Sequence, residues 1–253
     1  MGILIGRDLE AISTEAARLF ICLSGKHIRA SGRFVVALSG GTTPRRLYQL
    51  LASNHYQKKI CWTNVHIFFV DERFVPPDHP DSNFRLVHET LLKEISFPAE
   101  NIHSITTLGS TLSVSAKTYE ADIKDFFKIE ATGIFPRFDL IILGIGEDGH
   151  TASLFPGSRM TNDTNHFVAA VRNRKIRHHR ITLTLPVLNR AKNIIFLVSG
   201  KNKAPIMEQI LLPGDKKIPA SLVHPADGKL HLFIDKEASK SILNVEEKRN
   251  AHS

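Results

Sequence analysis

Four short apolar runs, each cut off by a loop of glycine and charge, constrain this chain more than any other feature. Phe34–Leu38 runs into Ser39-Gly40-Gly41-Thr42, and residues 65–70 run into Asp71-Glu72-Arg73. Leu140–Leu143 runs into Gly144-Ile-Gly-Glu-Asp-Gly-His150, and residues 194–198 run into Ser199-Gly200 with Lys201 and Lys203 beyond. Runs this short are poor helices and suit strands buried on both faces. Between them, apolar residues recur at helical spacing: Leu9, Ile12, Ala16, Leu19, Phe20 and Leu23 up to a break at Ser31-Gly32; Leu47, Leu50 and Leu51; and Ala116, Tyr119, Ile123, Phe126 and Phe127 up to Gly133. Strands alternating with helices predict an α/β fold: one domain over residues 1–245, with a mostly parallel sheet flanked by helices. Right-handed crossovers then bring the carboxyl ends of the strands, and the four loops, to one edge.

Further strands are predicted at 3–5, 167–171, 181–185 and 230–234, and helices at 84–92, at 205–212 and from Asp235 onward. Residues 220–223 carry no clear pattern. Thr151 onward is expected to open a helix, with Thr151 or Ser153 near its cap. The polar tail 246–253 is expected to fray. At 253 residues, with 42% hydrophobic and 23% charged side chains, the chain can bury a full core without staples. Cys22 and Cys61 form no metal spacing, which points to reduced thiols in a cytoplasmic setting. No signal-peptide pattern or apolar run of membrane-spanning length is present.

The formal net charge of +8 would suit an anionic partner, but a merely soluble surface is the simpler reading of the charge alone. The densest basic stretch, 172–180, has no interleaved aromatics and is weak as a nucleic-acid motif. The corner at Ser39–Thr42 is more specific. It is strand, diglycine, helix start, with Pro44 suited to the first turn, and free N–H groups there can hold an anion. It is neither a Walker A loop nor a full G-x-G-x-x-G. Arg73 has a planar fork for phosphate or carboxylate, or else pairs with Asp71 or Glu72.

His150 sits among glycines past the central strand. It is either a general base for water or a structural histidine, and Asp148 either orients its ring or meets the substrate. No nucleophile elbow and no paired metal ligands accompany it, so no metal is expected and acid–base chemistry on a small anion is the remaining option.

Six motifs carry a resemblance. They are Leu38-Ser-Gly-Gly-Thr-Thr-Pro44; Val70-Asp-Glu-Arg-Phe-Val-Pro76 with Asp78-His79 and Asp81-Ser-Asn83; and Gly144-Ile-Gly-Glu-Asp-Gly-His-Thr-Ala-Ser-Leu-Phe-Pro156. The others are Arg180-Ile-Thr-Leu-Thr-Leu-Pro186, Val198-Ser-Gly-Lys-Asn-Lys203 and Pro219-Ala-Ser-Leu-Val223. In this order, across most of the chain, they resemble the 6-phosphogluconolactonases of the glucosamine-6-phosphate deaminase/isomerase superfamily. The resemblance implies a Rossmann-like, deaminase-like fold and hydrolysis of 6-phospho-D-glucono-1,5-lactone without cofactor or metal. It casts His150 as general base supported by Asp148, and Ser39, Gly40, Gly41, Thr42, Arg73, Lys203 and Arg180 as the substrate and phosphate grip. Thr42 stands where serine is commoner in that family.

The implied partner is a small sugar-phosphate lactone, with no nucleic acid or membrane, and the protein is expected to be a monomer or weak homo-oligomer. The deaminase branch resembles Gly-His-Ile-Ala-Phe-Asn-Glu-Pro after the histidine, and this chain lacks that acidic residue and has Arg73 where deaminases carry tyrosine. A non-catalytic sugar-phosphate sensor on the same fold is the other rival.

Overall fold

The computed structural model describes residues 2–172, 177–211 and 218–241. Seven strands form one parallel sheet. In chain order they are β1 (Gly2–Gly6), β2 (Phe34–Leu38), β3 (Val65–Phe69), β5 (Ile102–His103), β6 (Leu140–Leu143), β9 (Asn193–Val198) and β10 (Lys229–Asp235). Three more, β4 (Asp71–Arg73), β7 (Val168–Val171) and β8 (Arg180–Leu183), form a separate antiparallel sheet in the order β4-β8-β7. The helices are α1 (Leu9–Ser31), α2 (Thr42–Ala52), the short α3 (Asn54–Gln57), α4 (Asn83–Thr90), α5 (Leu112–Phe127), α6 (Leu185–Arg190) and α7 (Ala204–Leu211), and residues 236–241 are helical as well, where a helix was expected from Asp235.

The parallel sheet runs β1-β10-β9-β6-β2-β3-β5. From β2 the chain adds strands toward one edge; from β6 it adds them toward the other. The reversal falls between β2 and β6, which pair through Val36↔Leu140 and Ala37↔Ile141. Open α/β sheets bind ligands in the crevice beyond such a reversal, because the loops there part to opposite faces. Here the parting loops are the diglycine corner after β2 and the glycine-rich turn after β6.

Burial explains which strands sit at the centre. Every residue of β2, β6 and β9 is buried, whereas the edge strand β1 exposes Ile3 and Ile5. Asp139, just before β6, joins the lower ends of the strands. It accepts bonds from the Val35 N–H at 2.9 Å and Lys192 Nζ at 2.7 Å, with His27 Nδ1 at 3.1 Å. The expected break of α1 is a left-handed Gly32 (φ 74°) whose N–H bonds back to Ile28.

Two expectations change. The strands expected at 167–171 and 181–185 form β7 and β8, which pair antiparallel with each other, and β8 also pairs antiparallel with β4, a stretch expected to be loop; β8 ends at Leu183 and Leu185 already opens α6. No helix starts at Thr151. Ala152 takes a left-handed φ of 52°, which no helix accommodates, and Thr151 instead bridges to Leu154. Residues 219–222 form a 3₁₀ turn. The tail 246–253, the proposed boundary at 245, the end of the helix expected at 205–212 and the middle of the basic stretch lie outside the described residues.

Candidate active site

The four predicted loops line a single cavity of about 450 Å³, joined by Asn83 from α4 and Arg180 from β8. Each wall is held by its own bonds. Tyr48 of α2 donates its hydroxyl to the Ser39 carbonyl at 2.6 Å, and Ser39 Oγ donates to Ile142 O at 2.6 Å. Ser39 thus lines the cavity with its hydroxyl already committed to tying β2 to β6. Gly41 precedes α2 with a φ of 106°, and no side chain caps the helix. The first N–H groups of α2 are therefore left to the cavity, with Thr42 and Thr43 on its wall. Gly40 makes room for Asn83: a Cβ there would lie 1.8 Å from Asn83 Oδ1.

The turn after β6 is built around an imidazole. Gly149 takes a φ of 82°, and its carbonyl accepts the Ala220 N–H at 3.1 Å, locking the turn to the 219–222 segment. The His150 ring lies against Gly146, where a Cβ would come within 2.1 Å of Nδ1. Nδ1 meets Asp148 Oδ1 at 2.5 Å, and the same oxygen accepts the His150 N–H at 3.1 Å. A carboxylate can only accept, so in the neutral tautomer this bond selects, Nδ1 carries the proton and Nε2 the lone pair. Asp148 thus bonds the imidazole and does not itself line the cavity. Burial raises its pKa, but the N–H bond and imidazole of His150 outweigh that, and the net shift is downward.

The cations come from three elements. In the β4–β8 ladder, Arg73 and Arg180 are direct cross-strand partners. Like charges placed opposite each other in this way are unfavourable unless something anionic lies between them. Both Nε atoms are buried, and neither has a hydrogen-bond partner among the described residues. Burial and then the like charge of Arg73 push the Arg180 guanidinium down from its usual range. The possible ion pairs of Arg73 with Asp71 or Glu72 do not form; Arg73 Nη1 donates instead to the Asp81 carbonyl at 2.6 Å.

Glu72 turns away from the guanidinium and accepts the N–H groups of Asn83 and Phe84, each at 2.7 Å, anchoring α4. Burial raises its pKa against those bonds. Lys203 projects from the turn after β9, where Asp235 accepts Ser199 Oγ at 2.5 Å and the Gly200 N–H at 3.0 Å. Burial lowers the Lys203 ammonium, while Glu147 and Asp148 act in the other direction.

All nine predicted site residues converge here, eight on the wall and Asp148 behind His150. Residues not foreseen as cavity walls include Asn83, Ala152, Ser153, Phe155 and Asn202. Ser153 Oγ donates to Asp71 Oδ2 at 2.6 Å, joining the histidine turn to β4. The Asp81-Ser-Asn83 motif was the one signal for Asn83, and nothing local in it says that the side chain faces a cavity. Close by, donor atoms of His79, Asp81 and His178 lie within 4.8 Å of one another. They are already engaged with each other and with Arg177, a poor environment for a cation.

A sequence model of the family described as glucosamine-6-phosphate isomerases/6-phosphogluconolactonase matches residues 7–232. The chain belongs to this family. It is 38% identical over 237 residues to the 6-phosphogluconolactonase of Nostoc sp., covering 93% of this chain and 95% of that one. The Synechocystis 6-phosphogluconolactonase is 37% identical over 242 residues, covering 95% and 94%. The crystal structure of the Thermotoga maritima 6-phosphogluconolactonase superposes with a TM-score of 0.80 at 30% identity, covering 93% and 99%. No helix among the described residues is long and apolar enough to cross a membrane.

Proposed function

We propose that this protein hydrolyses 6-phospho-D-glucono-1,5-lactone to 6-phosphogluconate, the lactone-opening step of the oxidative pentose phosphate route. The observation that carries the reading is one cavity walled by an aspartate-held imidazole and by two opposed guanidinium groups with unpaired Nε–H donors. A phosphate offers the charge and the acceptor oxygens that the Arg73–Arg180 pair lacks. The N-terminus of α2 behind Gly40, Gly41 and Thr42, together with Lys203, adds positive potential to the same space.

His150 is the general base. Its Nε2 takes a proton from water as the water oxygen bonds to the lactone carbonyl carbon. When the carbon–ring oxygen bond of the tetrahedral intermediate breaks, the imidazolium returns that proton to the departing oxygen. Asp148 stabilises the imidazolium between the two steps, as a fixed carboxylate at Nδ1 does. None of these steps calls on a metal or cofactor.

A coupled assay of 6-phosphogluconate formed from fresh lactone, with a no-enzyme control for spontaneous opening, tests the reading. A rate no higher than the control sinks it, as does ammonia release from glucosamine 6-phosphate at a comparable rate. With Cys22 and Cys61 exposed and unpaired, we place the protein in the cytoplasm, acting as a monomer or weak homo-oligomer without a nucleic-acid partner.

A further inference from the structure

Asp81 lies outside the cavity wall, yet it touches both cation-bearing segments. Its backbone carbonyl receives Arg73 Nη1 at 2.6 Å. Its carboxylate Oδ2 receives His178 Nε2 at 2.8 Å and Arg177 Nη1 at 3.1 Å, both from the segment that leads into Arg180. Its N–H donates to His79 Nδ1 at 3.0 Å, and the His79 and His178 rings meet edge to face at 5.4 Å. The peptide that anchors Arg73 is therefore gripped from its own loop and from across the ladder.

This arrangement matters because the two guanidinium groups repel. Once Nη1 is engaged, the remaining side of the Arg73 fork, Nε with Nη2, is the edge left to present to a ligand. A planar fork binds an anion bidentately only when its plane is fixed. A flexible arginine opposite a second arginine would swing out to solvent to relieve the like-charge contact, and the Asp81 carbonyl prevents this.

We propose that Asp81 and His178 are positioning residues: they hold the Asp81 carbonyl where it sets the plane of the Arg73 guanidinium, and so the grip on the anionic end of the substrate. The inference rests on the reading of Arg73 as that grip. Among the hydrogen bonds and ion pairs of the described residues, His178 reaches Arg73 through Asp81, so its effect should vanish once the guanidinium is gone.

The test is steady-state kinetics on the full chain for His178→Ala, His178→Gln, Asp81→Asn, Arg73→Ala and the double variant Arg73→Ala/His178→Ala, with a thermal melt of each. His178→Ala should raise KM about 5- to 30-fold, the effect of one or two kcal/mol, with kcat within about threefold and an unchanged melt. Asp81→Asn keeps the backbone carbonyl but weakens the charged grip, and should raise KM less. His178→Gln restores a donor near the Nε2 position and should recover most of the loss. In the Arg73→Ala background, His178→Ala should change KM less than about twofold, because the pair acts as one unit.

A full His178 effect persisting without Arg73, or an unchanged KM in His178→Ala, overturns the positioning role and leaves the Arg73 reading standing. An unchanged KM in Arg73→Ala itself overturns that reading, and this inference with it.

Discussion

Two neighbouring glycines in the turn after β6 should respond in opposite ways to the same substitution. Neither Gly144 nor Gly146 has a positive φ, so alanine strains the backbone at neither. At Gly144 an added Cβ meets nothing within 4 Å. At Gly146 it would lie 2.1 Å from His150 Nδ1, 2.2 Å from Cε1 and 2.6 Å from Asp148 Oδ1. Ordinary contact begins near 3.4 Å, so the imidazole must retreat by about 1.3 Å. The ring is partly exposed and can move into the cavity, so the cost falls on its placement more than on stability. A displacement of about 1 Å in a reacting group costs roughly 10²-fold in rate, and Gly146→Ala should lose about that much kcat. Gly144→Ala leaves the ring where it is, and any effect of its methyl in the cavity falls on KM. Rates from the coupled lactone assay, with melts showing both variants folded, decide the matter. Wild-type kcat in Gly146→Ala would mean that the ring position is immaterial, and the general-base assignment would fail.

Other outcomes follow from the same geometry. His150→Ala should lose about 10²- to 10⁴-fold in kcat with an unchanged melt; wild-type-like turnover would remove His150 from the chemistry. Arg73→Ala should chiefly raise KM, since a phosphate partner is bound alike in ground and transition states, and lost turnover at constant KM would make it a transition-state group. Gly40→Ala should lower the melting temperature, because its Cβ would displace Asn83, which bonds the Asp71 carbonyl at 2.8 Å; an unshifted melt would show that Asn83 has room to move. His66, on β3 beside His103, Arg33 and Phe126, has its pKa lowered to about 4, first by burial and then by the charges of His103 and Arg33. Between pH 6.5 and about 4 the unfolded chain binds this proton and the folded chain does not, so stability falls on acidification through that window. His66→Gln should flatten that part of the profile of melting temperature against pH, and an equally steep profile would contradict the assignment.

What could be read in advance was local. The buried strands announced themselves as apolar runs because a strand covered on both faces needs no polar side. The loops at their carboxyl ends stood out as glycine and charge against that background. Gly149 and Gly41 take a positive φ, whereas Gly144 and Gly146 do not: Gly146 is there for the room it gives an imidazole. The helix expected at Thr151 failed because its polar side chains found other partners, Thr151 Oγ1 on the Gly144 carbonyl at 2.9 Å and Ser153 on Asp71. A capping residue and a residue bonding a distant carboxylate look the same in one dimension.

The sequence by itself determined the α/β alternation, the parallel sheet and the family motifs, because periodicity and turn chemistry are properties of neighbours along the chain. Tertiary structure alone decided that three residues, Asp71–Arg73, become a strand, and that Arg73 lands opposite Arg180. A three-residue strand is too short to show a period, and the register between segments distant along the chain is set by what packs around them. The site depends on that register, which sets two ordinary arginines opposite each other, with partnerless Nε atoms, on the wall that His150 also lines.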